Sequence, residues 1–312
     1  MRKFGISFAK IFFPVLFRIF SILKINRRAA NFFFEKSFFS NDSLNFNDLI
    51  SSLLKNKKII ALDVGAQGGF NSDKFFPSKY NSYFEPVLIE PIKDEAKKLE
   101  KKNKYVIPNA LWSSNIVKKI NILGNRLGSS SMYEPNSNLF ELHNIKDKDF
   151  QDYKITQIID VQCETLQNSL KNLNIQKLDY LKIDTQGAEL EILKGIGDYK
   201  PLLIKIEFHL HSMYNGVPAW NKLLNLLYEL NYIVIDWKGI GSHATRVPAE
   251  IDMIFIPNFN NDLGKKLINC NESKFISLML IFRQISLLKI ISKKNNLNYS
   301  NYIKDIEDLF FN

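Results

Sequence analysis

The chain has 312 residues, 46% hydrophobic and 24% charged, which excludes wholesale disorder and allows one large domain or two small ones. Its two cysteines, Cys163 and Cys270, supply neither a disulfide framework nor a paired-cysteine zinc motif, so a reducing, cytoplasmic setting is expected. The formal net charge of +10 sits at the ends: residues 1–57 carry ten basic and three acidic groups, residues 262–312 carry eight and five, and the neutral middle speaks against nucleic-acid binding by bulk charge.

The first segment, Phe4 to Ile25, is apolar but broken by Lys10, Pro14 and Arg18, which is too interrupted for a spanning helix. Arg27 and Arg28 stand where a signal peptide would place small residues for cleavage. Phe4, Phe8, Ile11, Phe12, Val15, Ile19 and Ile22 recur near helical spacing, beside Lys3, Lys10, Arg18, Lys24, Arg27 and Arg28. We read a basic amphipathic helix, kinked at Pro14, in an N-terminal helical extension over 1–57. Residues 1–30 are expected either to make a peripheral contact with the inner face of a membrane or to pack on the chain's own core or on a second subunit. Asn-rich turns near 40–47 lead to the next region.

From Lys58 the pattern changes. Apolar runs of strand length occur at 59–64, 87–90, 105–107, 178–184, 202–207, 232–236 and 251–256. Helix-like stretches at 92–103, 164–173, 187–195 and 218–230 lie between many of them. This alternation predicts an α/β fold over 58–261, with a mostly parallel central sheet and helices on both faces. An interval without helical periodicity predicts an extra strand pair at 116–123 and 155–163. From 262 the chain reads as polar turns and then one Leu/Ile-rich helix at 275–293, a C-terminal helical extension over 262–312. There is no internal repeat.

Polar residues recur where the predicted strands end: Asp63 with Gly65, then Glu90, Asn109, Asp184, and Glu207 with His209. Parallel strands present their carboxyl ends on one edge, where open α/β folds bind ligands. Gly65, Gly68 and Gly69 lack Cβ atoms, so the turn tolerates positive φ and close approach. Glu90 follows at the next strand end, where a carboxylate accepts ribose hydroxyls. The spacing Gly65-x-x-Gly68-Gly69 is not the pyrophosphate-cradling Gly-x-Gly-x-x-Gly. That favours a nucleoside without pyrophosphate, such as S-adenosylmethionine; the plain alternative is a tight turn beside a solvated glutamate.

The series Asp63-Val-Gly-Ala-Gln-Gly-Gly69, Ile89-Glu90-Pro91, Asn109-Ala110-Leu111, Gly128-Ser-Ser-Ser131, Thr165-Leu166 and Leu181-Lys-Ile-Asp-Thr-Gln-Gly-Ala-Glu189 resembles the FkbM-type methyltransferases over roughly residues 58–257. The resemblance implies a Rossmann-like class I methyltransferase fold, S-adenosylmethionine as cofactor and, usually, O-methylation. With the strand-end pattern it assigns the cofactor to Asp63, Gly65, Ala66, Gly68, Gly69, Glu90, Asn109 and Ala110. The sequence departs from the family at Gln167, where Asp is common, and at Gln67-Gly68, where Asn and an aliphatic are more usual.

Asp184, Glu207 and His209 are the candidate catalytic groups, since a hydroxyl acceptor benefits from proton removal. Asp184 is alternatively a helix cap and Glu189 a favourable first-turn acid. His211 would point with His209 if the strand continued. Ser129, Ser130 and Ser131 either bind substrate hydroxyls or form a polar turn. No local ligand motif points to a metal.

The combined reading is an S-adenosylmethionine-dependent O-methyltransferase acting on a hydroxyl of a sugar, glycan or glycolipid. The acceptor class rests on the resemblance and on the basic, apolar N-terminus. A catalytically inactive, methyltransferase-like binding module is the second reading, opposed by the intact Gly65, Glu90 and Asp184. A nucleotide-sugar or NAD enzyme is opposed by the missing dinucleotide fingerprint. A nucleic-acid methyltransferase is opposed by the neutral core and by the lack of an Asn/Asp-Pro-Pro-aromatic motif after 178–184.

Overall fold

Short β-branched runs separated by amphipathic segments of helical length fold into a sheet flanked by helices. The computed structural model describes residues 15, 19, 22, 46–139, 151–241 and 248–297. In chain order the elements are α1 (Asn47–Leu54), β1 (Ile59–Val64), β2 (Phe84–Ile89), α2 (Lys93–Glu100), β3 (Tyr105–Ile107), β4 (Ala110–Leu111), β5 (Ile116–Leu123), β6 (Ile155–Glu164), α3 (Leu166–Asn172), β7 (Tyr180–Ile183), α4 (Glu189–Lys194), β8 (Leu203–His209), α5 (Trp220–Glu229), β9 (Tyr232–Gly241), β10 (Pro248–Pro257), α6 (Asp262–Asn269), α7 (Glu272–Ile281) and α8 (Ile285–Asn295).

The main sheet has seven strands in the order β3-β2-β1-β7-β8-β10-β9. Pairing is parallel from β3 through β8, while β10 runs against both β8 and β9. The expectation of a mostly parallel sheet therefore holds for one side only. Residues 242–247, the whole connection from β9 to β10, are too few for the crossover of about a dozen residues that a parallel neighbour needs. The extra strand pair forms as β5 and β6, antiparallel and joined by β4 in a second sheet.

Strand alternation sorts the side chains of the main sheet. Leu62, Val64, Leu181, Ile183, Ile204, Ile206 and Phe208 pack with Leu166, Leu170, Ile192, Leu193, Leu223 and Leu227 of the helices on one face. The intervening positions of the same strands include Asp63, Lys182, Lys205, Glu207 and His209, all buried. An aromatic group of Phe76, Phe84, Tyr180 and Phe282 lies alongside this polar row.

The C-terminal segment departs from the sequence reading. Where polar turns were expected, α6 forms, capped by Asn261 Oδ1, which accepts from the Gly264 N–H at 2.9 Å. The single helix expected at 275–293 is two, α7 and α8, separated where Arg283 takes a φ of 59°. Residues 275–281 of α7 are all buried, as befits a helix apolar on every side.

Two compact units are present, Met1–Asn45 and Phe46–Asn312. The N-terminal helix expected over residues 1–30 lies outside the described residues, except that Val15, Ile19 and Ile22 are helical and exposed. Among the described residues, no helix is long and apolar enough to cross a membrane.

Candidate active site

Strands β1, β2, β7 and β8 deliver their carboxyl ends to one edge, and the strand order reverses between β1 and β7. Such a reversal opens a crevice because the following connections leave to opposite faces. A cavity of about 210 Å³ lies there, bordered by Gly65, Glu90, Ala110, Ser130, Ser131, Asp184 and Gln186 among others.

Gly65, Gly68 and Gly69 have φ values of 80°, 82° and 98°, so the turn does use the left-handed region. At Gly65 the reason is also packing against a second turn. A Cβ added there would stand 1.9 Å from the Asp184 carbonyl oxygen. Around it, the Gly65 and Ala66 N–H groups donate to Ile89 O at 3.2 and 3.1 Å, and the Asp184 N–H donates to Val64 O at 3.1 Å. The turns after β1 and β7 and the end of β2 thus form one hydrogen-bonded unit.

Glu90 is 4% exposed and borders the cavity. The Ile92 N–H donates to its Oε1 at 2.9 Å. Burial pushes the carboxyl up to about 7, because little nearby compensates the loss of water.

A row of charges runs along the cavity, with Lys182, Asp184 and Asp73 in its wall and the buried Asp63 and Lys205 behind them. Lys182 Nζ donates to Gly65 O at 3.0 Å and sits 3.1 Å from Asp63 Oδ1 and 3.7 Å from Asp184 Oδ2. Burial opposes its charge, but Asp63 and Asp184 outweigh burial and hold the ammonium above the ordinary lysine range. Burial likewise favours a neutral Asp184, yet Lys182 and Lys205 overcome it and keep this carboxyl below the usual range. Lys205 pairs with Asp252 at 3.2 Å and with Asp73, in the loop after the glycine turn.

Gln186 joins the ends of β7 and β8. Its Nε2 donates to Asp184 Oδ1 at 3.0 Å and to Glu207 Oε2 at 2.7 Å, and its Oε1 accepts from the Tyr214 hydroxyl at 2.9 Å. A φ of 59° at this non-glycine residue shows that the backbone accepts strain to hold the side chain here. Glu207 is pushed up by burial and by Asp184 beside it.

Several expected site residues do not border the cavity. Asp63 is spent on Lys182 one layer below it, and Ala66, Gly68 and Gly69 shape the turn without lining it. The Asn109 side chain donates to Glu164 Oε1 at 3.3 Å. Ser130 and Ser131 do border the cavity, but Ser131 donates its hydroxyl to Gln186 O at 2.6 Å and accepts from the Tyr133 N–H, and Ser130 Oγ accepts from the Leu123 N–H. Ser129 contributes a backbone carbonyl to the Tyr214 hydroxyl. Asp184 does not cap α4; instead Glu189 Oε1 accepts from the Thr185 and Gly187 N–H groups and the Thr185 hydroxyl, so this acid builds the turn. Glu207 and His209 stand outside the cavity lining, and β8 ends at His209, so alternation does not extend to His211. Gln167, the departure from the family pattern, accepts from the Asp198 N–H at 3.0 Å.

Sequence reasoning passed over Lys182, Lys205, Gln186 and Tyr214. Lys205, Glu207 and His209 alternate with apolar residues along β8, and that period was the available signal. Gln186 lies within the Leu181–Glu189 run that carries the family resemblance, which was its available signal, whereas nothing local marks Tyr214.

A family model described as the Methyltransferase FkbM domain matches residues 63–234, from the end of β1 into β9 and more than half of the chain. Comparison with curated proteins finds no match.

Proposed function

Because the chain belongs to the FkbM methyltransferase family, we propose that it transfers a methyl group from S-adenosylmethionine to a hydroxyl of a sugar, glycan or glycolipid. The observation that carries the cofactor assignment is Glu90, a buried carboxylate on the cavity wall beside a glycine turn that lacks a pyrophosphate cradle. Its position suits a ribose diol. Asp184, kept ionised by Lys182 and Lys205, suits a neighbouring sulfonium. The acceptor class rests on the family and on the basic, apolar N-terminus.

When bound, S-adenosylmethionine supplies an electrophilic methyl. The chain supplies alignment, the larger share of the rate for such a transfer. Glu90 holds the ribose end and Gln186 fixes Asp184, so the acceptor oxygen is presented in one direction. With cofactor and acceptor bound, Asp184 would accept the proton of the acceptor hydroxyl, while breaking the S–CH3 bond would leave a neutral thioether.

Calorimetry of the purified protein tests the reading: S-adenosylmethionine should bind and NAD should not. Glu90→Ala should weaken binding by about 1.5–3 kcal/mol through loss of charge-assisted hydrogen bonds. Binding of NAD alone would refute the assignment, and unchanged affinity in a folded Glu90→Ala protein would remove Glu90 from the ribose role. The exposure of Val15, Ile19 and Ile22, at helical spacing, supports a peripheral membrane contact through the N-terminus.

A further inference from the structure

Beside the cavity, on the far side of Gln186, the structure brings together three groups that its hydrogen bonding leaves incompletely used. Strand pairing sets Glu250 opposite His209, and Asp252 opposite Glu207, across β10 and β8. One ligand atom each from Glu207, His209 and Glu250 lies within 4.8 Å of the others. The His209 side chain is 2% exposed, with Nε2 3.5 Å from Glu207 Oε2. Neither of its ring nitrogens has a hydrogen-bond partner. A buried imidazole with both nitrogens unmet is costly, and native structures rarely leave one so. Tyr214, the aromatic neighbour, meets it only as a ring, with centroids 5.7 Å apart. Among the described residues, no lysine or arginine stands within ion-pair distance of Glu207 or Glu250, although the Arg126 guanidinium acts on Glu250 from farther off.

We propose that Glu207, His209 and Glu250 hold a divalent transition-metal ion beside the methyl-transfer cavity, where it takes the acceptor hydroxyl as a further ligand. Two carboxylates balance the charge of such an ion, and a mixed imidazole–carboxylate set suits zinc or manganese better than calcium. Ligands about 2.1 Å from one ion stand about 3–3.5 Å apart, so small side-chain rotations close the triad. The cluster is one side chain removed from the cavity: Gln186 touches both Glu207 and the cavity-lining Asp184. An ion here would lower the pKa of a coordinated hydroxyl, as metals do for bound water. Metal binding as such stands independently of the methyltransferase reading; the hydroxyl as ligand rests on it.

The test uses the full chain stripped with chelator, titrated with Mn²⁺ alone and Zn²⁺ alone by calorimetry, and with Mn²⁺ by electron paramagnetic resonance. One saturating equivalent is expected. His209→Ala and Glu250→Gln should each weaken it by at least about tenfold, with circular dichroism unchanged. Glu250→Gln, at a half-buried position, keeps the test sound if His209→Ala fails to fold. Absence of saturable binding, or equal affinity in folded variants and parent, would overturn the site. S-adenosylmethionine is titrated separately. Cofactor binding without metal binding refutes the metal site alone; metal binding without cofactor binding refutes the methyltransferase reading and the hydroxyl ligand with it.

Discussion

Substituting Gly65 by alanine separates two costs that the glycine turn combines. The residue has a φ of 80°, and the added methyl would stand 1.9 Å from the carbonyl oxygen of Asp184, a residue held in place by its own N–H donating to Val64 O. Left-handed backbone costs a non-glycine residue about 1–2 kcal/mol. Relief of the clash moves one turn away from the other and costs about a further 1–3 kcal/mol, the usual range for overpacking. Gly69→Ala is the control: its φ is 98°, but the nearest atom its methyl would meet is Leu99 Cδ2 at 3.8 Å. Only the first cost applies there. The difference in unfolding free energy between the two variants, read by denaturant titration, should therefore be about 1–3 kcal/mol, with Gly65→Ala the less stable. Gly65→Ala should also bind S-adenosylmethionine more weakly than Gly69→Ala, because the displaced turn carries the hydrogen bonds to Ile89 O next to Glu90. Equal stability and equal affinity in the two proteins would refute the claim that contact between the two turns dictates glycine at position 65.

Glu90 gives a pH dependence with a defined sign. Its carboxyl titrates at about 7 in the folded chain and at 4.5 ordinarily, so protonation favours the fold and this contribution is lost as pH rises from 4.5 through 7. Cofactor binding runs the other way: a ribose diol favours the ionised acid, so calorimetric affinity should fall by about tenfold per unit below pH 7 and level off above it, and a flat profile would count against the ribose role. Lys182→Met leaves Asp63 and Asp184 without their shared ammonium and Gly65 O without its donor, and should cost about 3–5 kcal/mol of stability in denaturant unfolding. A loss under 1 kcal/mol would show the charges to be solvated. Removal of residues 1–45, which form a unit of their own, should abolish salt-sensitive co-sedimentation with anionic liposomes and leave S-adenosylmethionine affinity intact; an intact protein that never pellets would end the membrane reading.

Much of the site was readable before any coordinates. The strand runs at 59–64, 105–107 and 202–207 announce themselves by β-branched composition, and their parallel arrangement follows from the helices between them; the last extends in the structure to His209. Once that is granted, Gly65, Glu90 and Asp184 must share an edge, since each ends a strand of the same direction. The strand pair of β5 and β6 was legible for the converse reason, an interval without helical period. Other features depend on which strand lies beside which, and periodicity within a strand does not encode that. Asp63, Lys182 and Lys205 become a row only through the registers Asp63↔Lys182 and Lys182↔Lys205. Glu250 joins Glu207 and His209 only because β10 returns antiparallel beside β8. The same holds for the hydroxyl of Ser131: residue type made it look available, and a hydrogen bond formed on folding engages it within the protein, while Glu189 stands in the first turn of α4 as expected and also binds the turn before it. Spacing along the chain was enough to locate most strands of the main sheet and the polar groups at their ends, but not the antiparallel direction of β10 beside β8 and β9. Which of those groups face the cavity and which are paired emerges only on folding, because it depends on contacts between residues distant in sequence.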